Sequence, residues 1–261
     1  MNGLPDSLME MVRRALAAQA EMGMGEVILT SYTGPSSETA QLLADAPRVV
    51  NVAAALASEG GQVPAYQEDM MISTEPQYDS LEQQRSEICD CQKCPLGATR
   101  NKFVFGVGNP EADIMFVGEA PGAEEDRLGE PFVGRAGQLL DKILAAMNLD
   151  RTQVYIANIL KCRPPGNRDP QPDEMEQCFP YLREQIRLIR PKLMCALGRI
   201  AAQALLKTTT PLGKLRGSWH TYEGVPLLVS YHPAALLRFP KYKRDTWEDM
   251  QLLMARYEKM K

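Results

Sequence analysis

Histidine is almost absent from this chain of 261 residues, which contains only His220 and His232. Aromatic residues make up 7% of the sequence, and no apolar stretch approaches the roughly 18 uninterrupted residues that a membrane-spanning helix needs. The first residues include acids and lack a basic segment followed by an apolar block, so they do not have the pattern of a signal peptide. We therefore expect a soluble, cytoplasmic protein.

Lysine is missing from the first 85 residues, which hold 4 arginines against 12 acidic residues. The rest of the chain holds 25 basic and 21 acidic residues, although the net charge of the whole is −4. The average therefore hides a basic second part, which can meet phosphate groups, behind an acidic first part, which cannot.

Residues 1–85 are also rich in Ala, Glu, Gln, Ser and Pro, with helical patterns around 8–22 and 38–58. Segments rich in Gly, Pro and Ser interrupt these patterns. We interpret residues 1–85 as a flexible extension, with a helix that docks on a protein partner as the alternative. Residues 86–261 are predicted to form the folded domain.

Short apolar runs alternate with amphipathic helical patterns in that domain. The predicted strands lie within ADIMFVGEA, TQVYIANIL, PKLMCALG and VPLLVSYHP. Helices are predicted at 136–147, 172–190, 199–206 and 243–259. Strands that are apolar on both faces and separated by helices indicate a parallel sheet covered on both sides. We therefore predict a three-layer α/β/α sandwich around a central, mainly parallel four-stranded sheet.

Six cysteines follow residue 88, where a cytoplasmic protein is not expected to form stable disulfides. They are Cys89, Cys91, Cys94, Cys162, Cys178 and Cys195. Cys91 and Cys94 form a C-x-x-C pair, and Cys162 and Cys178 complete a set of four thiolates that suits zinc or an iron-sulfur cluster. The wide spacing of the second pair favours a cluster, and Cys89 remains an alternative ligand.

The segments that follow the strands are GEAPG, NILKCRPPGNR and SYHPAALLR, and ligands of such sheets bind at the carboxyl ends of strands. The glycine-rich segment after residue 117 lacks both G-x-x-x-x-G-K-[ST] and G-x-G-x-x-G, which argues against a triphosphate or dinucleotide site. His232 precedes the basic and aromatic stretch LLRFPKYKR, which suits phosphate contact. His220 and Cys195 are interpreted as structural residues.

Together, the C-x-x-C pair, GEAPG, EPFVGRAG, YIANILKCRPPGNR, the later Cys178 and HPAALLR resemble the family 4 uracil-DNA glycosylases over about residues 86–255. The resemblance implies an α/β/α fold, a [4Fe-4S] cluster and removal of uracil from single- or double-stranded DNA. It assigns four cluster ligands, namely Cys91, Cys94, Cys162 and Cys178. It also implies a monofunctional enzyme, which we expect to be monomeric and associated with the nucleoid.

The resemblance also assigns the uracil pocket. Phe132 is the aromatic residue that stacks on the flipped base, and Asn158 is the amide that reads its Watson–Crick edge. His232 is the donor to the uracil O2, and Leu236 is the wedge that fills the gap in the base stack. Backbone N–H groups of the GEAPG turn, which includes Gly118 and Ala120, are expected to help hold the uracil anion.

The turn departs from the best-known uracil glycosylases, since Ala120 and Gly122 stand where those enzymes have an aspartate and a tyrosine. Glu119 and Glu125 are the expected substitutes, with Glu125 against the C5 edge of the base. The sequence leaves open which carboxylate positions the water. Two other functions remain as alternatives: a non-catalytic nucleic-acid-binding module and an iron-sulfur electron carrier.

Overall fold

The computed structural model describes residues 77–261, and the helical patterns predicted around 8–22 and 38–58 lie outside these residues. Within the described part, the helices are α1 (Leu81–Ile88), α2 (Leu96–Thr99), α3 (Ala123–Leu128), α4 (Arg135–Ala146), α5 (Pro172–Ile189), α6 (Arg199–Leu206), α7 (Leu212–Leu215), α8 (Pro233–Arg238) and α9 (Tyr242–Glu258). A 3₁₀ turn covers Pro165–Asn167.

The described strands form one sheet with the order β1-β3-β2-β4-β6-β5. They are β1 (Val107–Gly108), β2 (Ile114–Gly118), β3 (Tyr155–Asn158), β4 (Leu193–Leu197), β5 (Trp219–Tyr222) and β6 (Val225–Ser230). The four central strands are parallel, and the two edge strands pair antiparallel. The predicted parallel core is therefore confirmed, and the structure adds an antiparallel strand at each edge.

Apolar side chains on both faces explain why the central strands are buried. Along β2, Met115 and Val117 pack into one core while Ile114 and Phe116 pack into the other. This is the alternation expected of a strand between two layers. The first core is completed mainly by α5 and α6, and the second by α4 and α9, which gives the α/β/α sandwich.

The order in which strands are added to the sheet reverses beside β2. After β2 the chain pairs β3 on one side, and then crosses to place β4 on the other side. In parallel sheets, ligands bind beyond the carboxyl ends of the strands at such a point. The residues that follow β2, β3 and β6 are therefore brought to one edge of the sheet.

The described domain begins before the boundary that the sequence suggested at residue 86. Tyr78 is buried in the first core, its N–H donates to Glu184 Oε1 at 2.9 Å, and its carbonyl accepts from Arg187. Helix α1 is capped by Ser80, whose hydroxyl accepts from the Gln83 N–H. Residues 78–85 thus pack on the domain. In the described part of the chain, no helix is long and apolar enough to cross a membrane.

A buried ion pair ties the last helix to the end of β6. Asp249 of α9 is fully buried, and its carboxylate accepts from Arg216 Nη2 at 2.7 Å and from the Ser230 hydroxyl at 2.7 Å. Ser230 ends β6 two residues before His232. The ion pair therefore fixes the segment that carries the histidine of the candidate site.

We expect Asp249→Ala to lower the free energy of unfolding by about 3 kcal/mol, because it removes the buried carboxylate partner of Arg216, which keeps its contacts to Asp245, and leaves the hydroxyl of Ser230 without its acceptor. Urea unfolding of the full chain measures the change. Glu248→Ala is the matched control on the same helix, since Glu248 forms only an exposed pair with Arg244. Equal losses in both variants would contradict a special role for the buried pair.

Candidate active site

The predicted pocket residues meet at the carboxyl edge of the sheet. Gly118 ends β2 and pairs with Asn158 at the end of β3, while His232 follows β6 and caps α8. Phe132 comes from the loop between α3 and α4, and Glu119 follows directly after β2. Three of the four central strands, β2, β3 and β6, therefore supply the floor of the pocket, and the loop supplies an aromatic side.

Gly118 is the point at which these groups converge. A Cβ atom at this position would lie 2.4 Å from Asn158 Oδ1 and 2.6 Å from the ring of Phe132, so no side chain fits. Phe132 is buried and has a φ of 53°, a left-handed conformation that is uncommon outside glycine. Its carbonyl accepts from Arg151. The loop conformation therefore turns the Phe132 ring toward Asn158.

The side-chain oxygen of Asn158 has no hydrogen-bond partner among the described residues, although the residue is only 2% exposed. Buried polar atoms are almost always paired, because an unpaired one costs about 1–3 kcal/mol. An acceptor that is left open beside an aromatic ring is suited to an N–H group of a planar ligand.

His232 is held as a neutral ring. Its Nδ1 accepts from the Ala234 N–H at 3.1 Å, so in the neutral ring the proton is on Nε2. Burial, together with the charge of Arg238, lowers the pKa of His232 to about 4, although Glu125 acts in the opposite direction. The ring stacks on Phe132 with 5.3 Å between centroids. A Cβ atom at Gly198 would lie 2.9 Å from that of His232, so this glycine permits the close approach.

The two candidate carboxylates have different surroundings. Burial raises the pKa of Glu119, as does Asp169, whereas Arg199 and Arg238 act in the opposite direction. Glu119 is thus partly buried beside the pocket, and two arginines, Arg199 and Arg238, favour the charged form of its carboxylate. Its own carbonyl accepts from the Leu160 N–H at 3.0 Å, which joins the GEAPG turn to the segment after β3.

Glu125 is occupied by the backbone of two loops. Its Oε2 accepts from the Gly122 N–H at 3.1 Å, and its Oε1 accepts from the N–H groups of Val133 at 3.0 Å and Gly134 at 2.9 Å. The carboxylate therefore ties the turn after β2 to the loop that carries Phe132. The sequence did not indicate this contact, because it depends on how the two loops fold toward each other.

Four cysteines lie together behind the pocket. Cys162 and Cys178 are buried in the first core, and Cys91 and Cys94 are partly buried against the same core. Burial raises the pKa of Cys162 to about 11 and that of Cys178 to about 12, and nearby thiols contribute to both shifts. Cys89 instead directs its thiol to the Ser86 carbonyl, and Cys195 is buried in β4 as expected.

Hydrogen-bond donors point at three of these four sulfurs. Tyr181 donates its hydroxyl to Cys91 at 3.3 Å, the Lys161 N–H donates to Cys178 at 3.3 Å, and Arg100 donates to Cys162 at 3.5 Å. Between residues 77 and 261, no three His, Cys, Asp or Glu side chains are close enough to hold a single metal ion. The four thiols are therefore spaced more widely than the ligands of a single metal ion, and hydrogen-bond donors point at three of them.

Comparison with known proteins decides the family. Residues 105–251 match the model of the uracil DNA glycosylase superfamily, which is more than half of the chain. The chain belongs to this superfamily. It is 45% identical over 181 residues to the type-4 uracil-DNA glycosylase of Archaeoglobus fulgidus, covering 66% of this chain and 91% of the relative. It is 44% identical over 182 residues to the type-4 enzyme of Saccharolobus solfataricus, covering 66% and 84%. Its group within the superfamily is therefore type 4.

The structure places one predicted site residue apart from the others. Leu236, the expected wedge, is only 1% exposed and packs in the second core, whereas its neighbour Leu237 is 39% exposed. A leucine with this burial cannot enter a base stack without leaving the core. The other predicted pocket residues, Gly118, Ala120, Phe132, Asn158 and His232, are brought to the same edge of the sheet by the fold.

The contacts of Glu125 give a testable expectation for the pocket of this type-4 glycosylase. Glu125→Gln replaces one accepting oxygen by an NH₂ group, so at least one of the three N–H groups loses its partner. We expect hydrogen exchange at Gly122, Val133 or Gly134 to accelerate by about tenfold or more, the size expected for a charge-assisted hydrogen bond.

Glu124→Gln is the matched control, because Glu124 is exposed and pairs with Arg127 in the same helix. Exchange at the three amides is measured by NMR or by mass spectrometry with peptide resolution. Unchanged protection in Glu125→Gln would mean that the loops are held by other contacts.

Proposed function

We propose that the pocket formed by Asn158, Phe132 and His232 binds uracil that has been rotated out of DNA. As a type-4 uracil-DNA glycosylase, the protein hydrolyses the bond between uracil and deoxyribose, and this reaction serves DNA repair. A base inside a duplex cannot reach such a pocket, so the nucleotide must first leave the stack at a cost of a few kcal/mol.

The open oxygen of Asn158 is the observation that carries the assignment. Uracil presents an N–H between two carbonyls, and an amide offers one acceptor and one donor to such an edge. Asn158 Oδ1 would accept from the uracil N3–H, and its NH₂ group would donate to the O4. Phe132 would cover one face of the ring, since stacking on an aromatic side chain holds a flipped base.

His232 would stabilise the leaving group. When the C1′–N1 bond breaks, its electron pair goes to uracil, and negative charge develops on the carbonyl oxygens. The Nε2–H of the neutral ring is free to donate to O2, because Nδ1 already accepts from Ala234. Backbone N–H groups of the GEAPG turn would add to this. Each preorganised donor of this kind lowers the activation free energy by roughly 3–4 kcal/mol.

Of the two carboxylates, we assign to Glu119 the role of positioning the attacking water. Glu125 already accepts three backbone N–H groups, which suits a residue that positions the Phe132 loop. Glu119 would orient water for attack on C1′ and accept a proton as the new C–O bond forms. The products are free uracil, which takes up a proton, and an abasic site.

The surface next to α8 suits contact with DNA. Leu237 and Phe239 are 39% and 52% exposed, and the exposed side chains of Arg238 and Lys241 lie beside them. Cations that neutralise phosphates supply most of the non-specific affinity for DNA, and apolar side chains can enter between base steps. We assign the wedge to Leu237, which follows the buried Leu236 on the same short helix.

The four thiols fit a [4Fe-4S] cluster held by Cys91, Cys94, Cys162 and Cys178. Donors from Arg100, Tyr181 and the Lys161 backbone point at three of the sulfurs, and hydrogen bonds to cluster sulfurs are one of the features by which a protein sets the reduction potential. When bound, the cluster supplies a cross-link between the loop after α1, the loop after β3 and α5. Cys89 is left out of the proposed ligand set because its thiol points to Ser86.

No step of the proposed reaction uses residues 1–76, and we keep the interpretation of the acidic N-terminal segment as a tether. The enzyme would work as a monomer at the nucleoid, where its DNA substrate is found.

We expect His232→Ser to reduce the rate of uracil excision by about 100- to 1,000-fold, the cost of losing a preorganised donor to the developing anion. The rate is measured with anaerobically purified protein and an oligonucleotide that contains one uracil, followed by alkaline cleavage of abasic sites. His220→Ser is the matched control, because His220 lies in the edge strand β5, where its Nε2 is 2.8 Å from the Leu215 carbonyl oxygen. A small effect of His232→Ser would reject the proposed role.

We expect Leu237→Ala to lower excision from double-stranded DNA by about tenfold and to change excision from single strands much less, because only a duplex leaves a gap to be filled. Leu252→Ala is the control at an exposed leucine of α9. Leu236→Ala is expected instead to destabilise the fold by about 2–5 kcal/mol. If Leu236→Ala instead folds stably and selectively loses excision from duplex DNA, the wedge would be assigned to Leu236.

A further inference from the structure

A lysine lies completely inside the domain, between the uracil pocket and the thiols. Lys161 is 0% exposed and is among the largest fully buried side chains of the described residues. Burying an ammonium group is costly unless hydrogen bonds and an opposite charge compensate for it. We therefore expect Lys161 to have both hydrogen-bond acceptors and a negatively charged group nearby.

The hydrogen bonds of Lys161 are made to uncharged groups. Its Nζ donates to the main-chain carbonyl of Asn158 at 3.0 Å and to Gln185 Oε1 at 2.6 Å. Gln185 is also buried, and its amide donates to the Phe105 carbonyl at 3.0 Å. These acceptors orient the ammonium group but do not neutralise its charge.

The sulfurs of Cys178 and Cys162 are close enough to the ammonium group to interact with its charge when they are deprotonated. Cys162 is the next residue in the chain, and the Lys161 N–H donates to the Cys178 sulfur. As free thiols in this buried place, the two cysteines would be neutral. As ligands of a cluster they are thiolates, and a cluster with four thiolate ligands carries a net negative charge.

We infer that Lys161 is a positioning residue that links the cluster to the uracil-reading amide: it balances the charge of the metal-bound thiolates and holds the Asn158 carbonyl. The inference deepens the proposed function and rests on its assignment of the cluster and of Asn158. Asn158 is the last residue of β3, and the peptide that follows it is held at both ends: the Ile159 N–H donates to the Gly118 carbonyl at 3.0 Å, and the Asn158 carbonyl accepts from Lys161 Nζ. The bond from Lys161 therefore adds a second restraint to the peptide whose rotation would move the Asn158 side chain.

Lys161→Met tests this inference, because methionine has a similar length and no charge. Two quantities are measured on the full chain with its cluster: the reduction potential of the cluster by voltammetry, and the inhibition constant of free uracil. Removing a positive charge beside the cluster should make the potential more negative. Loss of the bond to Asn158 should weaken inhibition by free uracil by about tenfold, the effect of one charge-assisted hydrogen bond.

Lys192→Met is the matched control, since Lys192 is half-exposed and pairs with Asp113 at the surface. It should leave both quantities unchanged. A residue that only fills space would change neither the potential nor uracil inhibition in Lys161→Met, and that result would overturn the inference. A shifted potential with unchanged uracil inhibition would also overturn it, because the link to Asn158 would be missing.

Gln185→Met provides a second route if Lys161→Met does not fold. It removes a partner of the ammonium group but keeps the charge, so uracil inhibition should weaken while the potential stays the same. Unchanged inhibition in this variant would count against the inference. Failure of the proposed function gives a different result, since the wild-type protein would then lack iron or would not be inhibited by uracil.

Discussion

The parallel pairing of β2 with β3 is the constraint on which the pocket depends. It sets Gly118 opposite Asn158, and the missing side chain at 118 leaves room for the Phe132 ring and the Asn158 amide at the same place. A register shift of one residue would turn every side chain of the strand to the other face. The two apolar cores on either side of the sheet make such a shift very costly, so the core of the protein also fixes the geometry of the candidate pocket.

Helix α3 extends this order from the sheet to the loops. Glu125 accepts from backbone groups of both pocket loops, and the next residue, Asp126, accepts from the Asn101 N–H at 2.8 Å. Asn101 follows Arg100, which donates to the Cys162 sulfur. Two successive acidic residues of α3 thus bond to the pocket loops and to the segment at Asn101, which adjoins the arginine that donates to Cys162. This arrangement explains why a cross-link by a cluster would stabilise the pocket without taking part in the reaction.

Much of the fold was predictable from the sequence, because each central strand is a short apolar run that is buried on both faces. The edge strands were missed for physical reasons: β1 has only two residues, and β5 is partly exposed, so neither has an apolar pattern. The residue types of the pocket could be placed at strand ends by the order of the motifs. The burial of Leu236, the expected wedge, could not be predicted, since adjacent leucines differ only in which one faces α4 and α9 in the folded chain.

The state of His232 shows how the scaffold and the chemistry are connected. The N–H of Ala234 belongs to the first turn of α8, so the helix that presents the exposed Leu237 also sets the tautomer of the histidine. Burial and Arg238 keep the pKa of the ring near 4, so near neutral pH the ring is uncharged and keeps one N–H donor. In the proposed reaction, a neutral donor would stabilise the uracil anion without first needing to be protonated. The same short helix would then connect the proposed DNA contact to the proposed stabilisation of the leaving group, and a shift of α8 would affect both together.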